Sequence, residues 1–283
     1  MNDVINTIIN GKWEDIIPTI PDNSIDIVIT SPPYNVDLGN NKHKKDTYEE
    51  YEDNLPYEKY LEWMDVLFAQ AYRVLRPGGR ICINIGDGAN GSIPTHADFT
   101  VRMRDKHKFL MMTTLVWNKK QIGASTAWGS WKSPSQPSFP TPFEFIIVMA
   151  KETLKHAGDA DKITVTDKEF IANSRALWEI QPETEMMKKY GHPAMYPEEM
   201  VRRLLNQLTY EDDIVLDPFS GAGTTCAVAK KLSRRYIGIE MSKKYCDTAN
   251  ARLRDVVALQ RVKSEKTKKT DGGESGYTLD WMQ

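Results

Sequence analysis

Short β-branched runs alternate with amphipathic helical segments along this 283-residue chain, and that alternation restricts the fold more than any other feature. Ile25-Asp26-Ile27-Val28-Ile29-Thr30 follows the turn-like Pro21-Asp22-Asn23-Ser24 and reads as a buried strand. From residue 57 to 75, Leu61, Met64, Phe68, Ala71 and Leu75 recur at steps of three and four, which predicts a helix with one apolar face. Arg76-Pro77-Gly78-Gly79 cannot continue that helix, and Ile81 to Ile85 reads as the next strand. Thr113 to Trp117 and Phe143 to Met149 are further strand candidates. Near the C-terminus Pro197, Glu198 and Glu199 open a helix whose apolar face is Met200, Leu204, Leu205 and Leu208. A strand at 214–216, a helix at 224–235, a strand at 236–239 and a helix at 243–258 follow. Such alternation predicts an α/β fold with a mostly parallel sheet.

Residues 121 to 190 break the pattern. Pro134, Pro137, Pro140 and Pro142, the tryptophans Trp128, Trp131 and Trp178, and the polar run from Lys151 to Lys168 read as an inserted region. From about Gln260 the chain is rich in Lys, Thr, Gly and Ser and reads as a tail. With 40% hydrophobic residues the chain suffices for a sizeable core. No stretch of 18 apolar residues occurs, which excludes a conventional membrane-spanning helix, and Met1 to Asn6 do not resemble the start of a secretory signal. Three cysteines, Cys82, Cys226 and Cys246, with no CxxC pair, argue against a disulfide framework and fit a reducing cytoplasm. The net charge of 37 − 39 = −2 means that any polyanion-binding surface is local. Local candidates are Lys42-His43-Lys44-Lys45, Arg102 to Lys108, Lys119-Lys120 and Lys188-Lys189, each of which also reads as a solvated face.

Two motifs carry chemistry. Asp217-Pro218-Phe219-Ser220-Gly221-Ala222-Gly223-Thr224-Thr225 joins a strand to a helix; its glycines admit a ligand close to the backbone, and the helix start offers free N–H groups. Glu240, 19 residues after Gly221 and followed by Met241, stands where a carboxylate accepts from the ribose hydroxyls of an adenosine-type cofactor. Cys226 replaces the third glycine of a dinucleotide fingerprint, and Asp217 puts negative charge where a pyrophosphate would sit. A cofactor with a cationic end, such as S-adenosylmethionine, suits that carboxylate better. The second motif, Ser31-Pro32-Pro33-Tyr34, follows the strand at 25–30. Its prolines remove two N–H donors, leaving carbonyls, a hydroxyl and an aromatic ring: an acceptor-rich pocket suited to a planar ring bearing an exocyclic amine. Alone, the glycine motif is also compatible with a tight strand–helix turn, and the tetrapeptide with a rigid loop bearing a surface tyrosine. If the two strands are neighbours, the motifs meet in the crevice at the sheet's carboxyl end.

On these motifs the chain resembles the DNA amino-methyltransferases, which methylate an exocyclic amine of adenine or cytosine with S-adenosylmethionine. Ser31 to Tyr34 match the family's catalytic tetrapeptide (Asp/Asn/Ser)-Pro-Pro-(Tyr/Phe/Trp), and Asp217 to Thr224 match its cofactor loop. The catalytic motif comes first, as in the circularly permuted β group. The resemblance implies a Rossmann-like methyltransferase fold, with a catalytic domain over 1–120 and 188–258, a target recognition region over 121–187 and a flexible tail over 259–283. His192 and Pro193 lie in a segment resembling one that helps bind methionine, and Trp128 to Pro134 resemble a segment of members with a serine tetrapeptide. Asp87 either lines the cofactor pocket or starts a turn. Trp128, Trp131, Lys132 and Ser133 either contact DNA or support a proline-rich loop, and Lys44 and Lys45 are candidates for clamping DNA. His192 has no partner at metal-ligand spacing, and no metal is expected.

The resemblance further implies a flipped base whose amine donates to the Ser31 hydroxyl and the Pro32 carbonyl while Tyr34 stacks on it. In the family Ser-Pro-Pro-Tyr is associated with N4-cytosine and Asp-Pro-Pro-Tyr with N6-adenine, so cytosine is favoured and adenine is the alternative. Double-stranded DNA is the expected partner; a cognate restriction endonuclease and a homodimer are compatible with the resemblance. RNA or protein-glutamine methylation fits the motif order less well. A catalytically silent DNA- or cofactor-binding regulator fits the intact Ser31, Tyr34, Asp217 and Glu240 less well, and a nicotinamide oxidoreductase is the weakest reading.

Overall fold

The computed structural model describes residues 4–35, 55–88, 91–120, 129–139, 141–190 and 195–259. Lys44, Lys45, Trp128, His192 and Pro193, and the tail beyond Leu259, lie outside the described residues. The strands are β1 (Thr7–Asn10), β2 (Ile25–Thr30), β3 (Leu75–Ile85), β4 (Leu110–Asn118), β5 (Phe143–Ala150), β6 (Leu177–Glu179), β7 (Ile214–Asp217) and β8 (Arg235–Glu240). The helices are α1 (Trp13–Ile16), α2 (Tyr57–Val74), α3 (Thr95–Val101), α4 (Asp167–Asn173), α5 (Glu185–Tyr190), α6 (Glu198–Leu208), α7 (Thr224–Lys231) and α8 (Lys243–Asp255).

These eight strands form one sheet in the order β1-β8-β7-β2-β3-β5-β4-β6. Among the described strands only β5 runs against its neighbours, pairing antiparallel with β3 and β4; the other pairs are parallel. The period-two pleat sorts apolar residues to two faces. Ile81, Ile83 and Ile85 of β3 pack with Tyr60, Met64, Phe68 and Ala71 of α2 and Phe99 of α3. Cys82, with Ile27 and Ile29 of β2 and Ile146 and Val148 of β5, packs on the opposite face with α6, α7 and α8. Both faces are therefore covered, as a doubly wound parallel sheet requires. From β2 the chain proceeds outward to β3; from β7 it proceeds outward to β8 on the other side. The order reverses between β2 and β7, and ligands of such sheets bind at that crevice.

Three local readings change. The helix expected to stop at Arg76 ends at Val74, and Leu75 already pairs with Ile25. Arg76-Pro77-Gly78-Gly79 bulges out between the Ile25–Leu75 and Ile27–Arg80 pairs, with Gly78 left-handed at φ 78° and a Cβ there 2.2 Å from the Lys155 carbonyl oxygen. Helix α6 begins at Glu198, one residue later than expected, with Pro197 as its N-cap instead of its first residue. The stretch 121–187 supplies β5 and β6 to the sheet, and Ile146 and Ile147 are wholly buried. Within the polar run that follows, Lys151 donates to Asn23 Oδ1 at 2.7 Å and the Leu75 carbonyl at 2.9 Å, so this part belongs to the sheet's base rather than to an excursion from it.

The bulge also delivers Arg76 to buried Asp26, 2.8 Å away. Asp26 accepts from the Ile214 N–H at 2.7 Å, tying β2 to β7, and His156 Nε2 lies 2.8 Å from Asp213 Oδ2 and 3.7 Å from Asp26 Oδ1. Burial, with Asp213 beside it, raises the Asp26 carboxyl to about 6 against the favourable pull of Ile214 N–H, Arg76 and His156. Burial opposes ionisation of Asp213 too, but hydrogen bonds from His156 and the Tyr210 N–H hold that group below its usual value. A raised carboxyl makes the folded state bind the extra proton between pH 3.8 and about 6, so Asp26 lowers stability as pH rises through that window. Asp26→Asn removes that contribution. Urea denaturation at pH 4 and pH 7 should show the difference between variant and parent moving in the variant's favour by on the order of 2 kcal/mol at the higher pH. An unchanged difference would contradict the raised carboxyl.

Candidate active site

The two motifs leave adjacent parallel strands at the same rim. Ile27 pairs with Val215 and Val28 with Leu216, after which β2 runs into Ser31-Pro32-Pro33-Tyr34 and β7 into the glycine loop. A buried hydrogen bond joins the strand ends: Thr30 Oγ1 donates to Asp217 Oδ1 at 2.7 Å. That oxygen also accepts from the Phe219 N–H at 3.1 Å, while Oδ2 accepts from the Tyr196 hydroxyl at 3.1 Å. Tyr196 in turn meets Thr225 at the start of α7. Asp217 is only 1% exposed, and burial raises its carboxyl even though Thr225, Thr30, Phe219 N–H and Tyr196 all favour the charged form. Burial, with Asp217 beside it, pushes the Tyr196 phenol far up, so it stays a donor. Asp217, expected to face a cationic cofactor end, here braces β2 against the glycine loop.

Gly221 and Gly223 adopt left-handed backbone at φ 50° and 76°, and Gly223 is the N-cap of α7. A Cβ on Gly223 would lie 3.0 Å from Ala249 Cβ and from Ile8 Cδ1, so no other residue fits that turn without displacing neighbours. Glu240 at the end of β8 accepts from Gly221 N–H at 2.7 Å through Oε2 and from Ser242 N–H at 2.8 Å through Oε1. Asn10 of β1 donates to the Glu240 and Met241 carbonyls at 3.0 and 2.9 Å, fixing the backbone under that carboxylate. Phe219 stands edge-on to Trp13 and Trp63, with ring centroids 6.4 and 5.7 Å away. An oriented carboxylate, left-handed glycines and an aromatic group thus stand together at the ends of β7 and β8. Cys226, which breaks the dinucleotide fingerprint, sits against Gly238 of β8, where a Cβ would lie 2.8 Å from the sulfur. The glycine that permits close helix–sheet packing here stands in the strand rather than the helix.

The tetrapeptide is held by Tyr60, Asn84 and Glu144, which sequence reasoning did not single out, with Lys119, named above only as part of a basic pair, behind them. Tyr60 of α2 donates its hydroxyl to the Pro33 carbonyl at 2.7 Å. Ser31 Oγ donates to Tyr34 Oη at 3.2 Å, and Tyr34 Oη donates to Glu144 Oε2 at 2.8 Å. Asn84 Nδ2 donates to both Tyr34 Oη and Glu144 Oε2 at 2.7 Å, and Lys119 forms an ion pair with the other Glu144 oxygen. A Cβ on Gly86 would lie 3.3 Å from the Tyr34 ring, so the ring rests against bare backbone there. The available signal was a polar residue inside an apolar strand: Asn84 in Ile81 to Ile85, and Glu144 in Phe143 to Met149.

Other candidates are placed as follows. Asp87 Oδ1 accepts from the His96 N–H at 3.1 Å and lies 2.7 Å from His96 Nδ1, at the start of α3. Trp131 is 67% exposed, with the Lys132 ammonium 5.7 Å from its ring, so this tryptophan does not lie beneath a loop. Ser133 donates its hydroxyl to Ser135 Oγ at 3.0 Å.

Comparison with known proteins gives the family and the fold. Residues 25–251 match the N6/N4 methyltransferase family, described as DNA methylase. The chain is 34% identical over 258 residues to the Type II methyltransferase M.BglII of Bacillus subtilis, covering 87% of this chain and 68% of that protein. It is 37% identical over 183 residues to the Type II methyltransferase M.MjaVI of Methanocaldococcus jannaschii, covering 63% of this chain and 87% of that one. Among solved structures, TTHA0409 of Thermus thermophilus, complexed with S-adenosyl-L-methionine, superposes with a TM-score of 0.66 at 26% identity, over 90% of this chain and 98% of that one. The cytosine-N4-specific PvuII DNA methyltransferase shares the fold, with a TM-score of 0.65 at 22% identity over 87% of each chain.

The brace at the strand ends is open to a direct test. Thr30→Val keeps the shape of the side chain but withdraws a donor from a buried carboxylate. Chemical denaturation should register a loss of about 1–3 kcal/mol, and Thr30→Ser should restore most of it. Parental stability in Thr30→Val would mean that Asp217 does not depend on this bond.

Proposed function

The chain belongs to the N6/N4 family of DNA methylases, S-adenosylmethionine-dependent DNA methyltransferases, and we propose that it methylates the N4 amine of cytosine at a specific site in DNA. The observation that carries this reading is the position of Ser31. It follows the strand next to the glycine loop, its own proton is directed to Tyr34, and Asn84 Nδ2 approaches Oγ at 3.5 Å, so one lone pair faces that amide and the other is the acceptor for a hydrogen of an exocyclic amine. A neutral serine accepts from the amine without placing a second negative charge beside Glu144.

In this reading Glu240 holds the ribose hydroxyls, Gly221 and Gly223 admit the adenosine, and Phe219 lines its base. Asp217 keeps the loop in register and adds negative charge near the cationic end. His192, Pro193 and Met241 complete the cofactor site. When bound, the cofactor supplies an electrophilic methyl group. The target cytosine is flipped out of the duplex to reach the pocket, because its amine is inaccessible within the stack. Tyr34 packs on the base, while Ser31 Oγ and the Pro32 carbonyl accept the two amine hydrogens and aim the nitrogen lone pair. Exposed Trp131, with Lys132 and Ser133, supports a DNA-contacting role for the segment after residue 128. Lys44 and Lys45 are assigned to the same substrate. Because two relatives are named Type II methyltransferases, we assign the chain to the modification half of a restriction–modification pair.

DNA incubated with the protein and S-adenosylmethionine, digested to nucleosides and separated by mass spectrometry, should contain N4-methylcytosine. N6-methyladenine would overturn the choice of base, and no methylated base would overturn the assignment. Ser31→Ala should lower turnover by about 100-fold with cofactor affinity unchanged by calorimetry. Full activity in that variant would remove Ser31 from the chemistry.

A further inference from the structure

Serine is too weak a base to keep a proton, so the amine reaction needs a stronger acceptor within reach. We propose that Glu144 is that acceptor, acting through the Tyr34 hydroxyl as a positioning and relay residue; this rests on the amine-methylation reading above. The chain of hydrogen bonds has one direction. Ser31 Oγ–H points to Tyr34 Oη at 3.2 Å, Tyr34 Oη–H points to Glu144 Oε2 at 2.8 Å, and the path ends on that carboxylate.

The surrounding groups enforce that direction. Asn84 of β3 donates through Nδ2 to both Tyr34 Oη and Glu144 Oε2 at 2.7 Å. Tyr34 Oη already receives two donors in this arrangement, so its own proton is directed to the carboxylate. Lys119, just past β4, pairs with the remaining Glu144 oxygen, so a cation faces the carboxylate from that strand. Glu144 is 9% exposed, which limits competition from water. Stacking on a base uses only the Tyr34 ring, and the family tetrapeptide also accepts phenylalanine or tryptophan. The hydroxyl therefore has a separate use in this chain.

The proton balance follows. The amine nitrogen uses its lone pair to form a bond to the methyl carbon as the carbon–sulfur bond breaks and its electron pair stays on sulfur; the nitrogen then loses one proton, and the electrons of the broken N–H bond return to nitrogen. That proton goes to Ser31 Oγ as the Ser31 proton passes to Tyr34 Oη and the Tyr34 proton passes to Glu144 Oε2. Both hydroxyls are regenerated, and Glu144 ends as a neutral carboxyl.

Tyr34→Phe and Glu144→Gln separate this role from stacking and from folding, since Tyr34→Phe keeps the ring and remains informative should Glu144→Gln fail to fold. We expect each to lower kcat about 100-fold with KM for DNA and cofactor within about threefold of parent, and the double variant to be no slower than the slower single. A readout without substrate accompanies this. In protein labelled at tyrosine Cζ, the resonance missing from Tyr34→Phe should move in Glu144→Gln and stay fixed in a Glu179→Gln control. Parental kcat in Tyr34→Phe, losses that multiply in the double variant, or an unmoved Tyr34 resonance would each overturn the relay. A parent protein that methylates no DNA amine would instead overturn the reading beneath it.

Discussion

A hydrogen bond between Thr30 and Asp217 joins the two motifs. Thr30 ends the strand that runs into Ser31-Pro32-Pro33-Tyr34, and Asp217 ends the strand that opens the glycine loop, 187 residues further along the chain. A buried carboxylate is costly unless its oxygens are satisfied. Here Thr30, Phe219 N–H and Tyr196 provide that satisfaction. Two of these donors, Thr30 and Tyr196, come from segments distant from the glycine loop, so the carboxylate is best satisfied when those segments are docked. Reacting groups that must align to within a fraction of an ångström benefit from such a junction more than from apolar packing, which tolerates small slips.

The same use of polar contacts appears at both ends of β2. At its amino end Asp26 accepts from Ile214 N–H and faces Arg76 and His156; at its carboxyl end Thr30 meets Asp217. Both junctions lock β2 to β7, the pair across which the strand order reverses. A sheet is weakest in specificity where two strands distant in sequence must find one register, and the buried polar pairs stand there. The Arg76-Pro77-Gly78-Gly79 bulge belongs to this design, because the extra residues let the guanidinium reach Asp26.

The motifs were legible because they combine short-range rules with rare residue types. Two prolines after a β-branched run, and a glycine loop between a strand and a helix, announce their backbone without help from the rest of the fold. The helices with strong apolar periodicity were legible for the same reason, as were the strands around them. Less legible were β1 and β6, short strands that take their place through parallel pairing with β8 and β4. Within 121 to 187 the strand at Phe143 to Met149 was legible and is β5, whereas the polar run that suggests an excursion supplies Lys151 and His156 to the base of the sheet. The two motifs were legible in the sequence, and the residues that hold Tyr34 and Pro33 were not. Tyr60, Asn84, Lys119 and Glu144 carry no local motif, and they matter because of what they face.

The sequence alone determined the two motifs, their order, the alternation that makes an α/β sheet, and the absence of a dinucleotide fingerprint at Cys226. These depend on backbone restriction and side-chain period, which act over a few residues. The tertiary structure decided that β2 and β7 are neighbours, that Gly238 compensates for Cys226, and that Glu144 reaches the Tyr34 hydroxyl. Those facts depend on which strands pair and on which groups share a buried space. No local propensity encodes them, because the energy of a buried polar group is fixed only when its partners arrive from elsewhere in the chain.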